Sequence, residues 1–390
     1  MYKLLFAFAF AVPCGAASTL QILPAAVTLS GPEARHQLLA EATVADHQED
    51  WTRQAKWTSS DPSVATVDQT GQIKPVSDGK TRITAETQGQ TASAQVTVQS
   101  SHDAFTWNFR NHVIPVLTKA GCNQGACHGA LAGKNGFKLT LRGYDPEVDY
   151  DTLTRQSAGR RVSLLQPAHS LMLLKPTMAV PHGGGKRFDT NSLEYRVIAE
   201  WIAAGAPAPA DSDPAVTGLE VYPASAALKP GAEQQLVVRA RYSDGKIQDV
   251  TRWVKFSSSD EGVATVDDFG HVKMNGSGET AITLYYSSRV LYSRLSVPYQ
   301  VPVKPEVYTS FKRNNYIDEL VLAKLQKLHL APSAPANDAT FIRRLYLDSM
   351  GVLPTAEEVE IFLASKEPDK RAKLIEGVFA RDEFVDYWAY

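Results

Sequence analysis

Cysteine is scarce in this chain: Cys14, Cys122 and Cys127 are the only three among 390 residues. So few cysteines exclude a small scaffold held together by several disulfides. No apolar run reaches the roughly 18 residues that a membrane-spanning helix needs, so the sequence predicts no transmembrane span. The formal net charge is only -2, which offers no general attraction to nucleic acid or to an acidic membrane surface.

Motifs of hydrolytic enzymes are also missing. The sequence contains no G-x-S-x-G and no H-E-x-x-H pattern, and no pair of carboxylates can be assigned to one site. A hydrolase acting on polysaccharide therefore has no supporting motif.

The N-terminus has the pattern of a secretory signal peptide. Lys3 precedes an apolar run, Leu4 to Val12, and small residues follow it. This order predicts a signal peptide over residues 1–17 with cleavage near Ala16-Ala17. We therefore expect a periplasmic, secreted or cell-surface protein whose mature form keeps one cysteine pair.

The chain contains one segment twice. The run "KWTSSDPSVATVDQTGQI" at 56–73 returns as "KFSSSDEGVATVDDFGHV" at 255–272 without a gap. Around each copy, short stretches alternate between apolar and polar residues and are separated by Gly, Asp, Ser and Pro. This pattern predicts two all-β sandwiches, at 18–100 and 213–303.

Both copies resemble the bacterial immunoglobulin-like domain of group two. The shared residues are the W/F-x-S-S-D-x-x-V-A-T-V-D-x-x-G core and the opening L-x-V/I-x-P. The resemblance implies spacer or adhesion modules of exported proteins, with possible contact to the envelope or to polysaccharide. Neither copy carries a catalytic pattern.

The segment between the copies, 101–212, holds the cysteine pair. Cys122 and Cys127 are separated by four residues, and His128 follows at once. Two such cysteines can form thioethers with the two vinyl groups of haem, and the histidine can reach the iron, although the usual spacing is C-x-x-C-H. A disulfide is equally compatible with the pair. A zinc site would want more ligands and a thiol redox site a C-x-x-C pattern, so the spacing leaves haem and disulfide open.

This segment resembles the cytochrome c domain of planctomycete-type exported proteins. The resemblance is carried by "VIPVLTKAGCNQGACHGALAGKNGF", "MAVPHGGGKRF" and "EYRVIAEWIAAGAP". It implies a mainly α cytochrome c-like domain with one covalent haem c on Cys122 and Cys127, and His128 as the proximal iron ligand. Three glycines of the loop would let the backbone approach the porphyrin: Gly121, Gly125 and Gly129.

The sixth iron ligand has several candidates. The resemblance favours His182 in "PHGGG" as the distal ligand, and analogy with mitochondrial-type cytochromes suggests Met178. Met172 reads as a core residue and His169 as a loop residue. Haem propionates, or plain solvent, are the expected partners of five basic residues: Arg142, Arg160, Arg161, Lys186 and Arg187.

The C-terminal part, 304–390, is predicted to be helical. Thr355 with Glu358 forms a capping box, and Asn191 with Glu194 gives a similar signal before the last helix of the middle segment. The stretches "RRLYLDSMGVLPT" and "FVDYWAY" resemble the start of a helical domain of unknown function found in the same exported proteins. Because the chain stops inside the second stretch, we expect this domain to be truncated.

Two functions follow. The first is an exported c-type cytochrome-like protein that passes electrons between a redox partner and its own C-terminal domain. Such a protein is an electron-transfer protein rather than an enzyme. The alternative is a cell-surface adhesion or carbohydrate-binding protein in which Cys122 and Cys127 form a structural disulfide. The alternative gives His128 no role.

Overall fold

The structure is a computed structural model that describes residues 18–45 and 47–390. The predicted signal peptide and its cleavage site at Ala16-Ala17 lie outside the described residues. The chain divides into two compact units. The first comprises residues 18–301 with 327–329, and the second comprises 302–326 with 330–390.

The first predicted sandwich is an all-β domain of three sheets. Their strand orders are β1-β4-β5, β2-β10-β9-β6 and β3-β8-β7. The strands are β1 (Ser18–Leu23), β2 (Ala26–Ser30), β3 (His36–Gln37), β4 (Leu39–Val44), β5 (His47–Asp50), β6 (Lys56–Ser59), β7 (Ala65–Val67), β8 (Gln72–Pro75), β9 (Gly79–Thr87) and β10 (Gln90–Gln99).

The second copy repeats this connectivity strand for strand. Its sheets are β11-β14-β15, β12-β20-β19-β16 and β13-β18-β17. The strands are β11 (Val216–Tyr222), β12 (Ser225–Ala227), β13 (Glu233–Gln235), β14 (Val237–Tyr242), β15 (Ile247–Asp249), β16 (Lys255–Ser258), β17 (Ala264–Val266), β18 (His271–Met274), β19 (Gly278–Tyr286) and β20 (Arg289–Val297).

The alternation of residues along the long strands explains the sandwich. In β9, Ile83 and Ala85 are completely buried while their neighbours Arg82 and Glu86 are exposed. Successive side chains of a strand point to opposite faces, so one face enters the core and the other meets water. Antiparallel β10 continues the pattern with buried Val96 opposite Thr81.

The middle segment is helical, as predicted. A π-helical turn (Phe109–Val113) leads into α1 (Ile114–Lys119), and Pro115 lies in the first turn of α1, where its missing N–H costs no hydrogen bond. The others are α2 (Pro146–Thr154), α3 (Leu171–Leu174) and α4 (Leu193–Ala203). The predicted cap of α4 is wrong by one residue: Ser192, not Asn191, accepts the N–H of Tyr195.

The middle segment shares one hydrophobic core with the second sandwich. Trp107 and Trp201 of the middle segment belong to the same buried cluster as Trp253 and Tyr286 of the second copy. The first copy has a separate core around residues such as Leu38 and Ile73. The helical segment therefore shares its hydrophobic core with the second copy and not with the first.

The helices after residue 304 include a confirmed capping box. Thr355 accepts the N–H of Glu358, and the Glu358 carboxylate accepts the N–H of Thr355. The helices are α5 (Pro305–Thr309), α6 (Tyr316–Lys327), α7 (Asp338–Met350), α8 (Ala356–Ala364), α9 (Lys370–Phe379) and α10 (Asp382–Ala389). Within residues 18–45 and 47–390, no helix combines the length and apolar character that a bilayer crossing needs.

Candidate functional site

The two cysteines lie on a compact loop directly after α1. The N–H of Cys122 donates to the Leu117 carbonyl at 2.8 Å, which closes the end of the helix. Six residues on, the N–H of His128 donates back to the Cys122 carbonyl at 3.0 Å. Asn123 is completely buried between them and donates to the Thr118 hydroxyl at 2.9 Å. The loop thus presents both thiols and the imidazole from a fixed backbone.

Gly129 is required by this loop itself. A Cβ at residue 129 would lie only 2.1 Å from the Asn123 carbonyl oxygen, so no larger residue fits there. The sequence suggested that this glycine lets the backbone approach a porphyrin. Its neighbour in the structure is instead the loop's own backbone, and the tight turn that it permits brings His128 back beside Cys122.

The loop forms one wall of a cavity of about 720 Å³. Cys122, Cys127, His128 and His182 all line this cavity, although His182 is more than fifty residues further along the chain. Pockets of roughly 300–1,000 Å³ are typical of small-molecule and cofactor sites. The structure therefore brings four of the five predicted site residues together.

The two histidines form a near-parallel pair. The ring centroids of His128 and His182 are 6.3 Å apart and their planes differ by 8°. Both imidazoles line the same cavity, so a group bound there could contact both rings.

Each imidazole is held by its Nδ1 atom. Nδ1 of His128 lies 3.0 Å from the Phe137 carbonyl oxygen, and Nδ1 of His182 lies 2.8 Å from the Gly185 carbonyl oxygen. A carbonyl oxygen can only accept, so Nδ1 carries the hydrogen and Nε2 keeps its lone pair. A ring nitrogen that donates to backbone while the other stays free is the usual arrangement of a metal-binding histidine.

The environment of His128 favours its neutral form. Burial lowers the pKa of His128 below its ordinary value of 6.5, against the opposing effect of the hydrogen bond to Phe137. The Phe137 ring also packs against the imidazole at 4.3 Å between centroids. On the other side, Gly184 lets the chain pass close to His182, because a Cβ there would lie 2.9 Å from its ring.

Both cysteines of the cavity are free thiols in the structure. Cys122 is buried, and burial raises the pKa of its thiol to about 12. It is therefore protonated at neutral pH, unlike the reactive thiolates of thiol–disulfide exchange enzymes. Cys127 is half-buried, and its sulfur lies 3.5 Å from a guanidinium nitrogen of Arg187.

The cavity is basic. Five cationic side chains line it: Lys134, Arg160, Arg161, Lys175 and Arg187. Among the described residues that line the cavity there is no aspartate or glutamate. The site is therefore suited to a ligand that carries negative charge.

The predicted propionate partners separate into two groups. Arg160, Arg161 and Arg187 line the cavity. The guanidinium of Arg142 instead lies over the Tyr285 ring at 4.1 Å, and Lys186 pairs with Asp189. Sequence reasoning missed Lys134 and Lys175, because no motif distinguishes a cavity lysine from a surface lysine.

Of the other candidates for the sixth ligand, Met178 and His169 do not line the described cavity, whereas Met172 does. Met178 is 46% exposed and is absent from the described lining of the cavity. Met172 is buried and lines the cavity, while His169 is exposed in a 3₁₀ turn. Of the candidates for the distal position, His182 lines the cavity and has its ring nearly parallel to that of His128.

The donor set fits haem better than a bare metal ion. In the part of the chain that the structure describes, no group of three or more His, Cys, Asp or Glu side chains could hold a metal ion. A porphyrin supplies the equatorial nitrogens of its iron, so two axial side chains complete the ligand set. The paired imidazoles, adjacent thiols and basic lining agree with that requirement.

Comparison with known proteins identifies the domains on both sides of this site. Residues 20–98 and 215–287 match the family described as Bacterial Ig-like domain (group 2). The two β-sandwiches are therefore domains of that family. Residues 316–390 match the family described as Protein of unknown function (DUF1549), which identifies the C-terminal helices.

A curated relative and solved structures give weaker likenesses. Ice-binding protein 1 of Shewanella frigidimarina (strain NCIMB 400) is 26% identical over 224 residues, which is 57% of this chain and 22% of that protein. Domains 5-6 of the S-layer protein SbsC are 12% identical and have a TM-score of 0.28, over 72% of this chain and 98% of theirs. Extracellular domains 3-5 of Drosophila OTK are 7% identical with a TM-score of 0.15, over 71% of this chain and 60% of theirs.

Proposed function

We propose that this chain is an exported haem-binding protein that carries electrons. The observation that carries the proposal is the near-parallel pair of His128 and His182 across a cavity that also contains both thiols. Cys122 and Cys127 would attach one haem as thioethers, and His128 and His182 would bind its iron through Nε2. When bound, the haem would supply one-electron redox chemistry.

The remaining cavity residues have roles set by their chemistry. Phe137 and the backbone carbonyl beside it orient His128, and Gly185 orients His182. Arg160 and Arg187 would pair with the haem carboxylates, and buried Met172 would exclude water. Both terminal nitrogens of Arg161 already donate to acceptors of the fold, which leaves this buried side chain a structural role. Two histidine ligands set a lower reduction potential than a histidine and a methionine.

The Ig-like domains support an exported location. Their family is bacterial, and the predicted signal peptide directs the chain to the periplasm or the cell surface. There the two sandwiches would act as spacers or contact envelope polysaccharide. A separate redox protein or the C-terminal helical domain would exchange electrons with the haem.

Covalent haem is the first thing to test. The chain is produced in a periplasm with c-type cytochrome maturation, separated on a denaturing gel and stained for haem peroxidase activity. We expect a haem band that is lost when both cysteines are replaced in the double variant Cys122→Ala/Cys127→Ala, and a pyridine haemochrome spectrum typical of thioether-linked haem. A chain without haem whose Cys122 and Cys127 are joined by a disulfide would contradict the proposal and support the adhesion alternative.

The axial ligands are tested on the haem-loaded protein. We expect His182→Ala to convert a six-coordinate low-spin absorption spectrum to a high-spin one. Met178→Ala and the exposed control His169→Ala should leave the spectrum unchanged. A high-spin spectrum in Met178→Ala, with His182→Ala unaffected, would assign the distal position to the methionine.

A further inference from the structure

The two Ig-like domains contact each other through equivalent surfaces. The N–H of Gln37 in the first copy donates to Asp249 of the second at 2.6 Å. The N–H of Gln235 in the second copy donates to Asp50 of the first at 2.7 Å. Gln37 and Gln235 occupy matching positions of the repeat, as do Asp50 and Asp249. The interface is therefore isologous, as in a twofold dimer, but within a single chain.

The strands around these hydrogen bonds also make equivalent contacts in the two directions. Strand β5 contacts β12 and β13, and its counterpart β15 contacts β2 and β3. Thr52 accepts the N–H of Ala40 in one copy, and Thr251 accepts the N–H of Val238 in the other. An approximate twofold axis thus relates the two sandwiches at this junction.

A cavity of about 200 Å³ opens at the junction. It is lined by matching residues from the two copies: Gln37 with Gln235, Thr52 with Thr251, and Arg53 with Arg252. Arg35 also lines it. The cavity exists because two copies of one domain meet, and neither copy would form it alone.

The charge in this cavity is unbalanced. Three guanidinium groups face one carboxylate, that of Asp249. That carboxylate already accepts the N–H groups of Gln37 and Thr251 at 2.6 and 2.8 Å. Burial and then the nearby charge of Arg35 lower the pKa of Arg252 to about 10. The lining of the cavity therefore carries a net positive charge.

Two of the guanidinium groups have unused donors. Arg252 donates from one terminal nitrogen to the Glu33 carbonyl oxygen at 2.9 Å, and its buried Nε has no hydrogen-bond partner among the described residues. Arg53 is exposed and makes no hydrogen bond or ion pair that the described part of the chain shows. Guanidinium groups bind planar and tetrahedral oxyanions through paired N–H donors.

The cavity also offers acceptors. The side-chain amide of Gln37 donates to the carbonyls of Leu38 and Thr70, and that of Gln235 donates to those of Leu236 and Phe269. Both amide nitrogens are therefore used, and the two Oε1 atoms remain as acceptors for hydroxyl groups. Acidic and hydroxyl groups occur together on an acidic sugar.

We propose that the junction between the two Ig-like domains binds a carboxylate-bearing sugar unit, with Arg53 and Arg252 on the carboxylate. The volume limits the ligand to about one sugar ring. A free inorganic oxyanion shares the charge but not the hydroxyl groups. This site is separate from the proposed haem cavity, with which it shares no lining residue.

The test is calorimetric titration of the full chain at constant ionic strength. The ligands are sodium glucuronate, glucose and sodium sulfate, with chloride as the balancing anion. We expect saturable binding of glucuronate, weaker binding of sulfate and none of glucose. Arg53→Gln should weaken glucuronate binding about tenfold, because it removes a charge-assisted contact. Arg53 makes no hydrogen bond or ion pair with another described residue, so this variant should fold normally.

Arg82→Gln is the matched control. Arg82 is an exposed arginine of the same domain outside the cavity, so both variants change the net charge equally. Equal affinities in the two variants, or no saturable binding of glucuronate, would overturn the proposal. Sulfate binding as tight as glucuronate binding would overturn the assignment to a sugar and leave an inorganic oxyanion as the ligand.

Discussion

The two Ig-like copies have the same strands in the same order, yet only the second carries the helical segment. Three positions show the difference. The second copy has large aromatic residues where the first has small or polar ones: Tyr242, Trp253 and Tyr286 against Val44, Gln54 and Thr87. Trp253 packs against Trp107 and His112 of the helical segment. The Tyr286 hydroxyl forms a hydrogen bond with the Tyr242 hydroxyl and lies within hydrogen-bond distance of the Asn111 carbonyl oxygen.

A second difference concerns charge. Glu41 and Asp50 are direct cross-strand partners in the first copy, and Arg239 and Asp249 hold the matching positions in the second. Like charges facing each other across strands destabilise a sheet, and opposite charges support it. The same scaffold therefore places two acidic residues opposite each other in one copy and an arginine opposite an aspartate in the other. A few side chains, not the backbone, give the copies different roles.

Replacing Trp253 by glutamine, the residue at the matching position of the first copy, should cause the largest loss of stability. Trp253→Gln removes an aromatic side chain that is 5% exposed and buries an amide in its place. We expect a loss of about 3–5 kcal/mol in the free energy of unfolding, measured by urea denaturation. The control is Gln54→Ala, at the matching and exposed position of the first copy. This substitution should change the free energy of unfolding by about 0.5 kcal/mol or less. Equal losses at both positions would show that the copies carry the helical segment jointly.

The acid pair of Glu41 and Asp50 should make the stability of the first copy fall as pH rises. Burial, followed by the charge of Asp50, raises the pKa of Glu41 from 4.5 to about 8. The folded protein then binds this proton more tightly than the unfolded chain, so stability falls as pH rises from about 5 to 8. We expect Glu41→Gln to be equally stable near pH 4 and more stable by on the order of 2 kcal/mol at pH 8.

Denaturation curves at pH 4, 6 and 8 measure this effect. Glu49→Gln is a control with the opposite sign, because hydrogen bonds from Lys229, His47 and Trp51 lower the pKa of Glu49 to about 2. Its substitution should cost stability at pH 6 and above, and the cost should shrink in acid. A pH profile that Glu41→Gln leaves unchanged would contradict the assignment of the titrating group.

The smallest effect is expected where the helical segment contacts the first copy. There Arg196 makes two hydrogen bonds to Glu33, at 2.9 and 2.8 Å, and its side chain is 41% exposed. We expect Glu33→Gln to cost about 1 kcal/mol or less, and less still in high salt. Glu86→Gln, on an exposed strand residue of the same copy, should be neutral. If Glu33→Gln cost as much stability as Trp253→Gln, the polar contact with the first copy would matter as much as the apolar contact with the second. That result would contradict the proposed difference between the copies.

Several features could be predicted from residues alone. The repeated V-A-T-V-D core predicted two sandwiches, and the domain family confirms both. Thr355 and Glu358 predicted a capping box, which the structure contains. The cap of α4 was misplaced because Asn191 and Ser192 are both good N-cap residues, and only the backbone angles decide between them.

The site was predictable only in its local part. Cys122, Cys127 and His128 are close in sequence, so their proximity follows from one loop. The pairing of His128 with His182, and the exclusion of Met178 from the described cavity wall, depend on how the chain folds back. The haem itself stays a prediction.

The amino-acid sequence by itself determined the two Ig-like sandwiches and the helical character of the segments that follow each of them, because periodicity and turn residues act within a few positions along the chain. Only the tertiary structure decided which copy holds the helical segment, which basic residues line the cavity, and that the two copies meet about an approximate twofold axis. These features depend on surfaces formed by residues far apart in sequence. Their contacts exist only after the strands and helices have packed.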